Sequence, residues 1–434
     1  MSGVAAPEAV KRRNPWWIPP FLGRVPDVPE PQVRMLGVVA LALLFENYDQ
    51  AMLSAALKQI AEDLGVAESD LGSMLGYVRL GAAPAFLLIP FGDGIGRRRL
   101  FLVSVIGLSL ATVASGFAQT TLQFVVLQMI SRTFMVTCAA AAYVIITEEL
   151  PPQHRGWGIG ILGALGSFGH GLGLLLFAAI DVLPYGWRAM YVVGMMPLLL
   201  LPHFRRQVSE TSRFRRAHAA RGSGLGWAAG WWDPLARLLR SHPQRALVVG
   251  LIGALASAGH SAGFSFAAYY VQADHGWAPG QFTAMAIVAG MAGIIGHPFA
   301  GRIADRRGRR PVGFLLFAVY PLLAVAFYHG PGWALPFLWV PLIFTLTGGI
   351  TIARALSTEL FPTSHRGTSA GWLQLTDALG AAGGLFLVSW GTAAGSSNTP
   401  MISWVVFATL GAGLLVLMLP ESGRRELEDI SAET

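Results

Sequence analysis

Long apolar segments alternate with short polar segments along almost the whole chain. The segments Leu100–Ala118 and Ile402–Leu419 contain no charged residue at all. An apolar run of about 18 residues or more can cross the hydrocarbon core of a bilayer as one helix, which satisfies its own backbone hydrogen bonds in lipid. The pattern predicts an all-α integral membrane protein with twelve spans, at residues 34–57, 72–91, 100–118, 122–147, 157–180, 188–203, 245–271, 281–300, 311–329, 333–356, 368–392 and 400–419.

The longest polar interruption between these spans is residues 204–244, and it divides them into six plus six. This central segment contains Trp227, Trp231 and Trp232, which predict a short helix on the membrane surface. The predicted organisation is an N-terminal tail, a first six-helix half, a central loop, a second six-helix half and a C-terminal tail, at residues 1–33, 34–203, 204–244, 245–419 and 420–434.

Composition and charge support a membrane protein with a defined orientation. Charged residues make up only 13% of the 434-residue chain, against roughly 25% in soluble proteins. If the N-terminus is inside, 26 of the 31 Lys and Arg residues fall in cytoplasmic segments, and only Lys58 and Arg188 lie near the outer side. Because basic residues are retained on the cytoplasmic side, we expect both termini to be cytoplasmic, in the inner membrane of a cell. The net charge of +7 therefore indicates contact with the lipid bilayer and not with nucleic acid.

Two pairs of loops repeat between the halves. Glu148–Gly156 aligns without gaps on Glu359–Gly367 at an offset of 211 residues, and Asp93–Arg98 aligns on Asp305–Arg310 at an offset of 212. Each loop follows the second or the fourth span of its half. Duplicated six-helix halves of this kind are typical of transporters.

The segment Gly301–Arg310 matches the signature G-x-x-x-D-R-x-G-R-R, and Glu-x-x-Pro-x-x-x-Arg-Gly occurs twice. With these motifs the chain resembles the major facilitator superfamily, and it is most similar to the sugar-porter and organic-solute:proton symporter branch. The seventh span, around Ala258–Tyr270, lacks the paired glutamines of sugar porters. The resemblance implies two pseudo-symmetric halves that alternate access to a central site, with charged loops acting as conformational latches. The latch residues it implies are Asp93, Arg97, Arg98, Glu148, Arg155, Asp305, Arg306, Arg309, Glu359 and Arg366.

Three ionisable residues lie at similar depths in the first and fourth spans. A charge at the bilayer centre costs roughly 3 kcal/mol or more, so a functional role is the default hypothesis. Glu46 and Asp49 are three residues apart and share a helix face, so one of them is expected to bind a proton. In the resembled family a first-span carboxylate facing a fourth-span arginine is a proton-coupling pair, which Asp49 and Arg132 match. The hypothesis is that deprotonated Asp49 pairs with Arg132 and that protonated Asp49 releases it.

Further polar and aromatic residues in the spans are candidates for binding substrate. His260 is the repeat-equivalent of Asp49, since both the residues and their spans correspond at an offset of 211. Arg79 and Asp377 lie on spans that are neighbours in the resembled family, and the sequence leaves open whether they pair or face the substrate. The candidates are Tyr48, Arg79, Arg132, Tyr143, His170, His260, Tyr269, Trp372 and Asp377. Each has the competing interpretation of an ordinary packing or lipid-facing residue.

The favoured function is proton-coupled transport of a small organic solute, and the buried arginines would suit an anion. An exporter of drugs or amphiphilic lipids and a non-transporting receptor on the same fold remain alternatives. An enzyme is not expected, because the chain has no HExxH motif or phosphate-binding loop. With the single Cys138, no cysteine metal cluster is expected either, and neither a metal nor a cofactor is predicted. We expect a monomer whose partners are the solute, the proton and lipid.

The charge asymmetry predicts the topology directly. A reporter enzyme fused at Gly222 should be active in the cytoplasm, and one fused at Asp274 should be active outside. An inverted pattern at either position would contradict the orientation.

Overall fold

The twelve predicted spans are confirmed as helices. A computed structural model describes residues 15, 17–18, 25–221, 233–362 and 365–422, and these residues form helices and no β-strand. The spanning helices are α1 (Glu30–Ala55), α2 (Glu68–Phe91), α3 (Arg97–Ser115), α4 (Thr121–Glu149), α5 (Arg155–Ala178), α6 (three pieces within 187–207), α7 (Pro243–Ala273), α8 (Pro279–Arg307), α9 (Arg309–His329), α10 (Leu335–Glu359), α11 (Arg366–Ala393) and α12 (Asn398–Met418). The all-α fold of two six-helix halves follows from this order.

Ten of these helices are long and apolar enough to cross a membrane by themselves, and α6 and α11 are not among them. The chain of α6 is broken into Trp187–Val193, Met196–Leu199 and Leu201–Gln207, where one continuous span over 188–203 was expected. The breaks precede Pro197 and Pro202, which cannot donate a backbone hydrogen bond. α11 instead carries Arg366, Asp377 and many small residues, which lower its hydropathy.

Helix ends differ from the predicted spans by a few residues. α1 begins at Glu30, inside the predicted tail, and a short helix, Leu57–Leu64, follows it. That short helix ends at Gly65, whose φ of 64° is readily adopted only by glycine. Helices Ser212–Arg221 and Asp233–Ser241 lie in the central segment, but the three tryptophans predicted to form its surface helix lie outside the described residues.

The sequence repeat is matched by repeated local structure. Gly96 and Gly308, the glycines before α3 and α9, have φ of 102° and 100° with nearly equal ψ. Within each half, a glycine also allows the first and fifth helices to touch. A Cβ at Gly169 of α5 would collide with the Leu44 carbonyl of α1, and one at Gly380 of α11 would collide with the Ala254 carbonyl of α7. The two glycines are separated by the repeat offset, so close packing of small residues is a duplicated feature.

The two halves meet through α2 against α11 and α5 against α8. Because successive helices alternate in direction, the helix ends fall on two faces, with twelve ends on each face. We call the face with the loops before α3, α5, α9 and α11 the basic face. We call the opposite face the acidic face, since the α1–α2 connection there carries Glu62 and Asp63.

Hydrogen bonds between the halves lie at the acidic-face ends of the helices. The Ser73 hydroxyl of α2 donates to the Ser389 hydroxyl of α11 over 2.9 Å. The Gln59 amide donates to the Gln272 side chain over 2.7 Å, and the Thr283 hydroxyl of α8 donates to a carbonyl of α5. These contacts close the acidic-face end of the interface, and we refer to them as the acidic-face seal.

A disulfide across the acidic-face seal should stop transport. Serine oxygens 2.9 Å apart place Ser73 and Ser389 within the range that a disulfide spans. In a background where Cys138 is replaced by alanine, the Ser73→Cys/Ser389→Cys pair should cross-link on oxidation, lose solute flux and recover it on reduction. Each single variant treated with the same oxidant is the control. Full flux in the cross-linked protein would show that the seal does not open during transport.

Candidate functional site

A central cavity lies between the halves and contains three of the charged residues that the sequence singles out. It is bounded by α1, α2, α4 and α7. Its polar lining consists of Asp49, Gln50, Ser54, Arg79, Gln128, Arg132 and Ser265. Six of these residues belong to the first half, so the polar chemistry of the cavity is concentrated on one side.

Asp49 is buried, with 3% of its surface exposed, and both carboxylate oxygens have hydroxyl partners. Thr112 of α3 donates to Oδ1 over 2.9 Å, and Ser131 of α4 donates to Oδ2 over 3.1 Å. The Thr112 and Ser131 hydroxyls are themselves 3.1 Å apart. A carboxylate in a low-dielectric interior needs such donors, because an unsatisfied buried charge is costly. Hydroxyl groups of α3 and α4 therefore hold the Asp49 side chain of α1.

Arg132 does not form the predicted ion pair with Asp49 in this structure. Its Nη1 atom donates to Gln50 Oε1 over 3.2 Å and contacts the Met135 sulfur at 3.4 Å, while its Nε has no hydrogen-bond partner among the described residues. The two hydroxyls are the partners of the Asp49 oxygens, and Gln50 is the partner of Arg132. The charge of Arg132 still acts on both Glu46 and Asp49, so the three predicted coupling residues share one electrostatic environment.

Arg79 and Asp377 lie in different surroundings. Arg79 lines the central cavity and lies close enough to Arg132 for the two positive charges to interact. Asp377 accepts a hydrogen bond from Ser257 and lies against Gly253, so it faces α7. Within the described part of the chain the two residues form no ion pair. Of the two possibilities that the sequence left open, the structure therefore favours a cavity-facing Arg79.

The two membrane histidines also differ. His260 is buried and packs against α9, with its ring 4.5 Å from that of Tyr320 and 6.0 Å from that of Phe317. Its Nε2 has no partner among the described residues. His170 of α5 lies 6.3 Å from Phe264 of α7, across the interface between the halves. His260 therefore points away from the cavity, and only His170 bridges the halves.

The aromatic candidates are mostly held by helix packing. Tyr48 is fully buried and donates to the Met190 carbonyl of α6, and the Trp372 indole donates to the Ala246 carbonyl of α7. Tyr269 lines a small pocket at the acidic face beside Glu68. Tyr143 is 38% exposed and is the candidate aromatic that is open to contact. The stacking lining predicted from these residues is not assembled around the central cavity.

The latch residues form one cluster at the basic face of each half. In the first half, Arg97 pairs with Glu148 at 3.3 Å, and Glu210 accepts the backbone amides of Arg97 and Arg98 at the start of α3. The Thr211 hydroxyl also donates to Glu148. A carboxylate at a helix N-terminus satisfies free amides and interacts favourably with the helix dipole. This cluster ties the start of α3 to the end of α4.

The second half repeats this cluster residue for residue. Arg309 pairs with Glu359 at 3.0 Å and with Asp305 at 2.7 Å, and Glu421 accepts the amides of Arg309 and Arg310. Ser422 donates to Glu359 as Thr211 does to Glu148.

The contacts described above join residues of the same half in each cluster. That these loops act as conformational latches stays a prediction.

The remaining latch candidates have less specific partners. Arg98 donates to the Arg205 carbonyl, and Arg155 donates to the Leu150 carbonyl. The Nε atom of Arg366 is buried and has no hydrogen-bond partner in the part of the chain that the structure describes. Arg306 interacts with another residue. The side chain of Asp93 lies outside the described residues.

Sequence reasoning missed the neutral partners of the charged residues. Thr112, Ser131, Gln50 and Gln128 all lie in apolar spans and were not singled out. The capping role of Glu210 and Glu421 was also missed, although their separation of 211 residues equals the repeat offset.

Replacing either capping glutamate should destabilise the protein similarly. Glu210→Ala and Glu421→Ala each remove two hydrogen bonds at a helix N-terminus, worth about 0.5–2 kcal/mol. For a half of this size the melting temperature of the purified protein should fall by about 2–4 °C per kcal/mol. The exposed Glu30→Ala, which loses only an i, i+4 surface pair, is the control. Equal melting temperatures for all three variants would contradict the capping role.

Comparisons with known proteins show the family to which the chain belongs. The Major Facilitator Superfamily family model matches residues 39–385 and 249–433. The cis,cis-muconate transport protein of Acinetobacter baylyi is 25% identical over 79% of this chain and 83% of its own length. A probable 4-methylmuconolactone transporter of Cupriavidus pinatubonensis is 25% identical over 89% and 90%. The inward-open xylose transporter XylE from E. coli shares the fold, with a TM-score of 0.70 and 18% identity over 92% of this chain and 99% of its own. The chain is a multi-pass membrane protein of the major facilitator superfamily and is similar to transporters of organic solutes.

Proposed function

We propose that the protein is a proton-coupled importer of a small organic carboxylate. The observation that carries the proposal is the pair of arginines, Arg79 and Arg132, in one central cavity together with a buried carboxylate. A guanidinium keeps its charge and its fork of donors fits a carboxylate. The relatives described above are named as carriers of muconate and of methylmuconolactone, which are organic acids or their lactones. A neutral sugar would not need two buried cations.

The orientation proposed from the sequence gives each face a role. The basic face, with the charged clusters and both chain ends, lies in the cytoplasm under the positive-inside rule. The acidic face then lies outside, and the acidic-face seal closes the path to the exterior. With the seal closed, the central cavity would exchange its contents with the cytoplasm. We propose further that the protein acts as a monomer, because the residues that line the cavity belong to one chain.

Coupling follows from competition for Arg132. When Asp49 is protonated, it has no charge to offer Arg132, and the arginine is available to a solute carboxylate. When the solute leaves, the freed positive charge favours the deprotonated form of Asp49. Proton and carboxylate therefore bind and leave together, which is symport. Glu46, which shares the field of Arg132, tunes this exchange.

Substitution of Asp49 should separate exchange from accumulation. In proteoliposomes with an imposed pH gradient, Asp49→Asn should lose accumulation of cis,cis-muconate and retain its exchange, because the arginines remain. Arg132→Ala should lose both. Arg132→Lys keeps the charge but not the fork, and should raise the KM about tenfold or more, since a hydrogen bond to a charged group is worth roughly 1.5–3 kcal/mol. The exposed Asp181→Asn, which lies outside the cavity, is the matched control.

Xylose serves as a neutral comparator in the same vesicles. If xylose accumulates and the dicarboxylate does not, the proposed substrate class is wrong. If Asp49→Asn concentrates solute as the wild type does, Asp49 is not the coupling residue. Accumulation directed outward from the cytoplasmic side would favour the alternative of an exporter, and tight binding without flux would favour a receptor.

A further inference from the structure

The side-chain oxygens of Asp49, Thr112 and Ser131 form a closed loop of contacts, which we call the Asp49 ring. Oδ1 is 2.9 Å from the Thr112 hydroxyl, Oδ2 is 3.1 Å from the Ser131 hydroxyl, and the two hydroxyls are 3.1 Å apart. The three residues come from α1, α3 and α4, and at most 3% of each is exposed. Three contacts of hydrogen-bond length thus connect the carboxyl group and two hydroxyl groups.

Counting protons shows which form of Asp49 fits these contacts. Each hydroxyl supplies one hydrogen, and a carboxylate supplies none. With Asp49 charged, both hydrogens go to its oxygens, and the contact between Thr112 and Ser131 has no hydrogen. With Asp49 protonated, Oδ2–H donates to Ser131, Ser131 donates to Thr112, and Thr112 donates to Oδ1. All three contacts then carry one hydrogen each, and the hydroxyl that has turned is that of Ser131, while Thr112 still donates to Oδ1.

We propose that Thr112 and Ser131 are positioning residues of the carrier, whose hydroxyl groups set how tightly Asp49 holds the coupling proton. The inference rests on the proposed proton coupling and deepens it by naming the residues that tune it. A proton that enters from water bonds to Oδ2 and completes the ring. Its loss returns the Ser131 hydrogen to Oδ2, while Thr112 donates to Oδ1 in both forms. Only the proton-loaded form supplies one hydrogen to each of the three contacts.

The partner of Arg132 in this structure also fits a protonated Asp49. A charged Asp49 would attract Arg132, which lines the same cavity, yet Arg132 donates to the neutral Gln50 instead. The side chain of Thr112 is also fixed, because its methyl group packs against Gly194 of α6. Its hydroxyl is therefore held towards α1, as a positioning role requires.

Other titratable groups surround the ring on each neighbouring helix. Glu46 and Tyr48 are on α1 itself, Arg132 is on α4, and Tyr191 on α6 interacts electrostatically with Asp49. Arg79 of α2 lines the same cavity. Because Glu46 is a carboxylate in the same field, it is the competing location for the proton, and the experiment must distinguish the two.

The ring is suited to a proton and not to a metal cation. Hard cations of the calcium type take six to eight oxygen ligands at about 2.3–2.6 Å. The oxygens of the Asp49 ring are in direct contact with one another, and both hydroxyls direct their hydrogens within the ring. The carrier should therefore be indifferent to sodium.

The test uses purified full-length protein and needs no solute. Infrared difference spectroscopy during a pH titration should show a protonated carboxyl band that Asp49→Asn removes and Glu46→Gln retains. In Thr112→Val the midpoint of that band should move to higher pH by about one unit, since a lost charge-assisted hydrogen bond is worth roughly 1.5–3 kcal/mol and one unit is 1.36. Thr112→Val also removes the acceptor of the Ser131 hydrogen in the protonated form. This loss destabilises the protonated form less than the lost hydrogen bond destabilises the charged form, because Ser131 can donate to a carbonyl of its own helix instead.

Thr112→Ser restores the hydroxyl and should titrate as the wild type does, and Ser131→Ala should shift in the same direction as Thr112→Val. If Thr112→Val fails to fold, the midpoint of the band in Ser131→Ala is compared with that in Thr112→Ser. Replacing choline by sodium should leave the band unchanged. A band removed by Glu46→Gln, a sodium-dependent band, or an unshifted midpoint in both hydroxyl-deleted variants would overturn the ring. Loss of coupled transport in Asp49→Asn with an unshifted midpoint would leave the proposed function intact and refute only the ring.

Discussion

The cost of an ionisable group in a low-dielectric membrane interior determines most of the arrangement around the central cavity. Asp49, Arg132 and Arg79 lie deep within helices, and each buried charge must be neutralised or hydrogen bonded. The chain meets this requirement with neutral partners, Thr112 and Ser131 for the carboxylate and Gln50 for Arg132. Neutral partners stabilise the charges without binding them as tightly as an ion pair would. In the proposed mechanism the arginines therefore stay available to an anionic solute.

The features that repeat in both halves belong to the scaffold, and the residues that differ between the halves lie at its centre. The clusters at the basic face agree between the halves in arginine, glutamate and capping glutamate. The central positions do not: Asp49 has hydroxyl partners, whereas its repeat-equivalent His260 packs against aromatic rings of α9. Helix packing and loop capping serve both halves equally, so they tolerate little divergence. A site between the halves is needed once, and the second half contributes Ser265 to the lining of the cavity.

Sequence alone predicted the twelve helices, the division into halves and the family, because these depend on long apolar runs and on motifs that repeat at a constant offset. It also identified the charged residues of the cavity, since a charge in an apolar span is conspicuous. It did not identify their partners. Thr112 and Ser131 are ordinary helix residues until the packing of α1, α3 and α4 brings their hydroxyls together. The break in α6 and the direction of His260 likewise depend on tertiary contacts that no single span encodes.

The separation of Asp49 from Arg132 in this structure bears on how the proposed coupling can work. An ion pair buried at the cavity would be hard to separate, because each partner would be left uncompensated. In the observed arrangement the carboxyl group is already satisfied by the Asp49 ring, and Arg132 is satisfied in part by Gln50. In the proposed mechanism the two hydroxyls hold the carboxyl group in both of its protonation states, so that loading and unloading the proton does not require an ion pair to be broken.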